Sequence, residues 1–134
     1  MRTAPASITA LDHVVVSTPD PERAAALYGA RLGLDMALDR SNADWGRLMF
    51  FRCGDLIVEV AHRPGKEATS GPDKLHGISW RVSNVDATRA RLAASGLDVS
   101  EVRIGRWPGT RVMTVKSGTC GVPTLLIEKS AKAD

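Results

Sequence analysis

The chain of 134 residues is poor in cysteine and in long apolar runs, and each shortage excludes a class of protein. The two cysteines, Cys53 and Cys120, are too few for a disulfide framework and lack the spacing of a metal-binding motif, so we expect a cytoplasmic protein. Its apolar runs have the length of strands, and we therefore expect no transmembrane helix. Met1–Ala10 has no apolar core of the length that a signal peptide needs.

Aromatic residues and charge of one sign are also scarce. The aromatic content is 4%, the net charge is +3, and the basic residues are scattered along the chain. Binding of nucleic acid calls for a basic stripe or an aromatic stacking platform, so we expect no nucleic-acid partner. The 43% of hydrophobic and 25% of charged residues are ordinary for a soluble globular protein. The length predicts a single domain over residues 1–134.

What the chain does contain is an internal repeat. Placing residues 11–36 on residues 74–99, an offset of 63, aligns several identical residues, among them the pairs His13 and His76, Ala24 and Ala87, and Gly33 and Gly96. Each copy is followed by an apolar strand with one glutamate, Glu59 in the first copy and Glu128 in the second. Glu128 lies somewhat beyond the place that this offset gives, which a longer turn at Ser117–Pro123 explains.

In each copy the pattern predicts the element order β-α-β-β-β. Leu11–Val16 is short, apolar and β-branched, which favours a strand. Asp20 suits the cap of a first helix and Ser83 the cap of a second one. Gly33 and Gly96 are each in the place where a glycine commonly ends a helix.

The stretch between the copies is typical of a linker. Residues 62–74 are rich in Gly, Pro, Lys and Ser and have no apolar period. We therefore predict module one over about 8–62 and module two over about 75–130. His62, at the start of the linker, is expected to be exposed.

The two histidines and two glutamates at paired positions indicate a metal site. Alternation along each strand places them among apolar neighbours, for example His76 beside Trp80. A single histidine in a strand is more often a structural residue, and a strand glutamate is usually solvated or salt-bridged. A glutamate with apolar neighbours, however, is costly to bury unless it is paired, protonated or bound to a metal. The set of four favours the metal.

These residues make the chain similar to the vicinal oxygen chelate superfamily. That superfamily includes glyoxalase I, extradiol dioxygenases, methylmalonyl-CoA epimerase, and the fosfomycin and bleomycin resistance proteins. The resemblance is carried by Leu11–Val16, Tyr28–Leu34, Glu59, Leu75–Ile78 and Glu128. It implies an α+β fold of two βαβββ modules that form a curled mixed sheet around a central cleft. It also implies metal ligands on the first and last strands of each module, which by position are His13, Glu59, His76 and Glu128.

The ligand set resembles that of glyoxalase I most closely. Imidazoles and carboxylates suit Ni, Zn, Co, Mn or Fe, and a divalent cation stabilises an enolate beside a coordinated carbonyl. The resemblance implies that Glu59 and Glu128 are catalytic and move the proton. We therefore expect a glyoxalase-like metalloenzyme, an isomerase or lyase that acts on a small oxygenated substrate.

Alternatives remain open at this point. One is an extradiol-type dioxygenase or an epimerase in the same cleft. Epimerases of the superfamily tend to carry glutamine at the Glu59 position, whereas the long turn at Lys116–Pro123 resembles theirs. Another is a non-enzymatic protein that binds a drug or metabolite, as bleomycin resistance proteins do. Such binders commonly lack the metal residues.

Substrate contacts and oligomeric state are less determined by the sequence. Trp80, Trp107 and Arg111 are the candidates for touching the substrate, although Trp80 suits core packing better. Relatives often dimerise, so a homodimer is expected, with the site either within one chain or across the interface.

Overall fold

The computed structural model describes residues 7–130 and divides the chain into two compact units. One unit is His13–His76, here called module one. The other, module two, comprises residues 7–12 and 77–130. Within the described residues no helix is long and apolar enough to cross a membrane.

Both modules follow the predicted order of elements. In chain order these are β1 (Ile8–Ser17), α1 (Pro21–Ala25, continued by a π-helix over Ala26–Arg31), β2 (Asp35–Asn42), β3 (Gly46–Cys53), β4 (Leu56–His62), β5 (Lys74–Val82), α2 (Val85–Ala94), β6 (Arg103–Ile104), β7 (Thr110–Val115) and β8 (Thr124–Lys129).

The strand order is the same in the two modules. Module one has the order β2-β3-β4-β1, with β1 parallel to β4 and the other neighbours antiparallel. Module two has the order β6-β7-β8-β5, with β5 parallel to β8 and the other neighbours antiparallel. The predicted fold class, α+β with two βαβββ modules, is confirmed.

The helix starts follow from local capping chemistry. The Asp20 side chain accepts a hydrogen bond from the Arg23 N–H at 3.1 Å, as predicted. In module two the cap is Asn84, whose side chain accepts from the Ala87 N–H at 3.0 Å. The prediction of Ser83 was therefore wrong by one position. Serine and asparagine cap about equally well, so the sequence could not separate these two neighbours.

A π-helix explains a mismatch between the two helices. The Leu32 N–H donates to the Leu27 carbonyl at 2.8 Å, a bond between positions i and i+5 in place of the i and i+4 of an α-helix. Such a turn contains one more residue than a turn of α-helix. As a result the glycines that follow the helices, Gly33 and Gly96, keep the offset of 63, whereas the caps Asp20 and Asn84 are one position further apart. We call the separation of the two caps the cap offset.

Packing in the two cores confirms that the cap offset gives the equivalent residues of the two modules in their first strands and at their helix starts. Val16 packs in the module one core beneath α1, and Trp80, its counterpart by the cap offset, packs against the module two core. Ala24 and Thr88, another pair at the cap offset, lie on the helices and are both 0% exposed. The offset read from the sequence therefore holds for the helix ends but is wrong by one position for the first strands.

The linker lies against the turn between β1 and α1. His62 was expected to be exposed, but it is half-buried, with Nδ1 at 3.0 Å from the Thr18 carbonyl and Nε2 at 2.9 Å from the Lys66 carbonyl. Further along, the Thr69 N–H donates to the Pro19 carbonyl at 2.9 Å. Hydrogen bonds at the start and near the middle of the linker therefore hold it against this turn.

Candidate active site

Module one presents one face of its sheet to α1 and the opposite face away from it. The face towards α1 forms the core, which consists of Val16, Ala24, Met49, Phe51, Val58 and Val60. Because side chains alternate along a strand, His13 and Val15 of β1 and Glu59 of β4 point to the opposite face. We call this the outer face of module one.

His13 and Glu59 are neighbours on that outer face. In the parallel pairing of β1 with β4, His13 is opposite Ile57 and Val15 is opposite Glu59. The two side chains are thus one pleat apart on adjacent strands. Glu59 is only 6% exposed, and the residue opposite it on β3 is Phe50. The structure therefore brings together the two module one residues that the sequence predicts for the site, as a carboxylate and an imidazole among apolar side chains.

The corresponding face of module two has different chemistry. The core beneath α2 contains Val82, Val85, Met113, Val115 and Leu126, with Trp80 packed against it. The pairs Ile78–Thr124 and Trp80–Leu126 therefore face α2. Alternation leaves Gly77 and Ser79 of β5 and Leu125 and Ile127 of β8 on the face away from α2. We call this the outer face of module two.

The equivalents of His13 and Glu59 in module two follow from strand register. By the cap offset, Gly77 is the counterpart of His13 and Ser79 is the counterpart of Val15. Val15 is opposite Glu59 in module one, and Ser79 is opposite Leu125 in module two. Gly77 and Leu125 thus occupy the places that His13 and Glu59 occupy in module one.

His76 and Glu128 lie on the other face of their strands. By alternation His76 shares the side of β5 that carries Ile78 and Trp80, and Glu128 shares the side of β8 that carries Leu126. Glu128 accepts a hydrogen bond from the Val85 N–H, the first residue of α2, at 2.9 Å. A carboxylate is favourable beside the free N–H groups at the start of a helix. Glu128 therefore stabilises α2 from the neighbouring strand.

This contact predicts a stability effect for Glu128. We expect Glu128→Ala to lower the free energy of unfolding by about 0.5–2 kcal/mol, the usual range for loss of a helix cap. Glu128→Gln should retain most of the stability, because the amide oxygen still accepts. Glu101→Ala is the matched control, since its carboxylate pairs with Arg89 on a mostly exposed side chain and should matter little. Urea unfolding followed by circular dichroism measures all three, and a wild-type midpoint for Glu128→Ala contradicts the capping role.

The four predicted ligands do not fit one metal site. His13 and Glu59 share the outer face of module one, whereas His76 on β5 has the parity of Ile78 and Trp80, and Glu128 on β8 has the parity of Leu126. Among residues 7–130, no three side chains of His, Cys, Asp or Glu are grouped so that they could hold a metal ion. Zinc in a protein site has three or four protein ligands as a rule. The set drawn from the sequence repeat therefore does not suit the ion that the resemblance implies.

The three predicted substrate contacts have other surroundings. Trp80 packs against the core beneath α2, as the alternative of core packing predicts. Trp107 is 39% exposed, and the Arg106 guanidinium lies 5.5 Å from its ring centre. Arg111 makes two hydrogen bonds to the Asp86 carboxylate, at 2.6 and 2.9 Å. That pairing holds the pKa of the Asp86 carboxyl below its ordinary value. A role of these residues in binding substrate stays a prediction.

Module two contains a buried charge that the sequence does not predict. Asp12 is buried, and its Oδ1 accepts hydrogen bonds from Arg81 Nη2 at 2.6 Å and from Lys129 Nζ at 2.8 Å. Arg81 and Lys129 have the parity of the outer face of module two. No local pattern indicates this cluster, because its members are far apart along the chain. Among the ion pairs of the described residues, these two cations share one carboxylate, which leaves positive charge in excess there.

Module one also contains a cleft of about 300 Å³ on the side towards α1. Its walls are Val14, Val16, Tyr28, Val58, Asp73, Lys74 and Leu75. Burial, and then the carboxylate of Asp73, raise the pKa of the Tyr28 hydroxyl. His13 and Glu59 point to the opposite face of the same strands. The cleft is therefore separate from the candidate active site.

Comparison with known proteins gives the chain a family and a set of relatives. The model of the Glyoxalase/Bleomycin resistance protein/Dioxygenase superfamily matches residues 12–114. The ethylmalonyl-CoA/methylmalonyl-CoA epimerase of Cereibacter sphaeroides is 28% identical over an alignment of 106 residues that covers 71% of this chain and 79% of that protein.

Solved structures agree at the level of the fold. Methylmalonyl-CoA epimerase from Mycobacterium tuberculosis has a TM-score of 0.75 at 22% identity, covering 98% of this chain and 94% of that one. A hypothetical protein from Bacillus halodurans has a TM-score of 0.74 at 18% identity, covering 92% and 96%. Streptomyces coelicolor methylmalonyl-CoA epimerase in complex with 2-nitronate-propionyl-CoA has a TM-score of 0.68 at 22% identity, covering 93% and 100%. With two βαβββ modules and a family match over most of its length, the chain belongs to the Glyoxalase/Bleomycin resistance protein/Dioxygenase superfamily.

Proposed function

We propose that this protein is an epimerase that moves a proton at the carbon beside the thioester of a small branched acyl-CoA. The observation that supports the proposal is the buried Glu59 carboxyl group with His13 one pleat away on the adjacent strand, both on the outer face of module one. The similarity to an ethylmalonyl-CoA/methylmalonyl-CoA epimerase supports the substrate class. It favours the epimerase alternative over a lyase or a dioxygenase.

The proposed chemistry needs an acid–base pair. A carbon between a thioester and a carboxylate holds its proton loosely enough for a positioned carboxylate to remove it. Glu59 takes the proton, the C–H bond breaks, and its electron pair moves onto the thioester oxygen to form an enolate. The imidazolium of His13 then delivers a proton to the opposite face of that carbon. The thioester is restored with inverted configuration, and proton exchange with solvent resets both side chains.

Proton exchange tests this function directly. Wild-type protein is incubated with methylmalonyl-CoA or ethylmalonyl-CoA in D₂O, and the signal of the proton on the branched carbon is followed by NMR. We expect that signal to disappear much faster than in buffer, while succinyl-CoA, which lacks a proton between two carbonyl groups, should exchange no faster than without protein. Exchange at the buffer rate for both branched substrates rejects the proposal. Parallel assays with a hemithioacetal and with a catechol plus oxygen test the lyase and the dioxygenase.

A second candidate is a protein that binds a small molecule without turning it over. The observation in its favour is the outer face of module two, where Gly77, Ser79, Leu125 and Ile127 replace the acid–base residues found in module one. This candidate predicts that acyl-CoA esters raise the melting temperature while no proton exchange occurs.

A homodimer is part of the proposal as well. Light scattering coupled to size-exclusion chromatography distinguishes a monomer of 14.3 kDa from a dimer.

A further inference from the structure

We propose that this protein works without the tightly bound divalent metal that its resemblance to the superfamily implies, because module two carries no ligand at either of the equivalent positions. The positions that correspond to His13 and Glu59 are Gly77 and Leu125. Glycine has no side chain, and leucine has no donor atom. The inference concerns the metal alone and stands whether or not the substrate is an acyl-CoA.

The register of β5 with β8 identifies the equivalent positions in module two. Ser79 is opposite Leu125 in module two, just as Val15 is opposite Glu59 in module one. The neighbouring pairs of residues face the core in both modules. Val14 and Val58 face the core in module one, and Ile78 and Thr124 are their counterparts in module two. A shift by one position would place Trp80 and Leu126 outside the core that they form. The register is thus fixed by packing.

Glu128 is already held by a hydrogen bond to the start of α2. Its Oε1 accepts from the Val85 N–H at 2.9 Å, on the side of β8 that faces α2. To reach the outer face, the side chain would have to pass through the strand to which it belongs. Glu128 is therefore held as a helix cap and is not available as a ligand.

The charges on the outer face of module two also oppose the binding of a cation. The outer face of module two has Ser79 with a neutral hydroxyl, and two cations, Arg81 and Lys129, that share the carboxylate of Asp12. Hard or borderline divalent ions prefer imidazole and carboxylate ligands, and nearby unbalanced positive charge opposes their binding. Module one alone offers one imidazole and one carboxylate, fewer than a tight site requires.

Metal binding measured without reference to activity tests the inference. Protein without an affinity tag is treated with a chelator, dialysed against Co²⁺, and examined by elemental analysis and by the visible absorption of bound cobalt. We expect the wild type to retain no stoichiometric Co²⁺. In the variant Gly77→His with Leu125→Glu, module two gains the same histidine and glutamate that module one has. The resemblance implies a site with ligands from both modules, and by position this variant supplies the full set of two histidines and two glutamates. Cobalt affinity should then rise on the order of 100-fold or more, since even outer-shell partners of a metal change its affinity about 10–100-fold.

Controls separate the alternatives. His76→Ala and Glu128→Gln should leave the cobalt affinity of the wild type and of the double variant unchanged. If the double variant is misfolded by circular dichroism, Leu125→Glu alone is compared with Leu125→Gln. Wild-type protein that keeps one equivalent of Co²⁺ through dialysis overturns the inference, and so does a folded double variant that binds no better than the wild type. The proton-exchange assay can succeed or fail independently of either result.

Discussion

Glu59→Gln should reduce the kcat/KM for proton exchange of the branched acyl-CoA on the order of 1,000-fold, the size of effect typical of a lost general base. Glutamine has the shape of glutamate, so the buried site beside Phe50 and Val15 is kept while the proton acceptor is removed. A stopped assay that follows deuterium incorporation by mass spectrometry covers this range. Wild-type melting behaviour is required for the comparison to be valid.

Glu128→Gln is the matched control for that experiment. It makes the same chemical change at the glutamate that the sequence repeat pairs with Glu59. Because Glu128 caps α2, we expect kcat/KM within about 3-fold of wild type, well below the effect of losing an acid–base group. Equal losses in the two variants would show that the glutamates act as a pair, and this would contradict the assignment of the chemistry to module one.

Gly46→Ala should be the most destabilising single-methyl change in module one. A Cβ at Gly46 would lie 2.0 Å from the His62 carbonyl oxygen and 2.7 Å from the Pro64 nitrogen, and both are backbone atoms that cannot turn aside. The residue also has a φ of 80°, which L side chains rarely adopt. Strain of the backbone and overpacking each cost about 1–3 kcal/mol, so we expect a loss of about 3–5 kcal/mol in the free energy of unfolding.

Gly54→Ala is the control that isolates backbone strain. Gly54 has a φ of 60° in the turn between β3 and β4, but nothing lies within 4 Å of an added Cβ. The expected loss is about 1–2 kcal/mol, the cost of a left-handed conformation for alanine. Urea unfolding of both variants measures the difference. If the two variants are equally stable, the close approach of β3 to the start of the linker is not a feature of the folded protein.

The fold could be predicted well because the signals for each element are local. Asp20 and Pro21 mark the start of α1, glycines with positive φ follow both helices, and β-branched runs form the first strands. These patterns depend on neighbours a few positions away. The order β-α-β-β-β in both modules follows from them directly.

The site was harder to predict because it depends on register. His13 and His76 are 63 residues apart, and so are Gly33 and Gly96 at the ends of the two helices. The sequence therefore favours this offset for the whole repeat. The π-helix at Ala26–Arg31 adds one position to module one, so the first strands obey the longer cap offset. Since neighbouring residues of a strand point to opposite faces, an error of one position exchanges the outer face for the core. No pattern in the sequence distinguishes a π-helical turn from an α-helical one.

His62 illustrates a second limit. Its sequence context, rich in glycine, proline and lysine, is that of an exposed linker. Its two ring nitrogens nevertheless lie within hydrogen-bond distance of the Thr18 and Lys66 carbonyls. Contacts of a linker with a distant turn arise only once the chain is folded, and the sequence carries no local signal for them.

NMR of the histidine side chains can test whether the chemistry belongs to the outer face of module one. The chain has three histidines, His13, His62 and His76, so their imidazole signals can be assigned by three single substitutions. On titration with methylmalonyl-CoA, we expect the His13 signals to shift strongly while those of His62 and His76 stay near their positions in the free protein. Shifts of His76 as large as those of His13, or no shift of His13 at saturation, would contradict it.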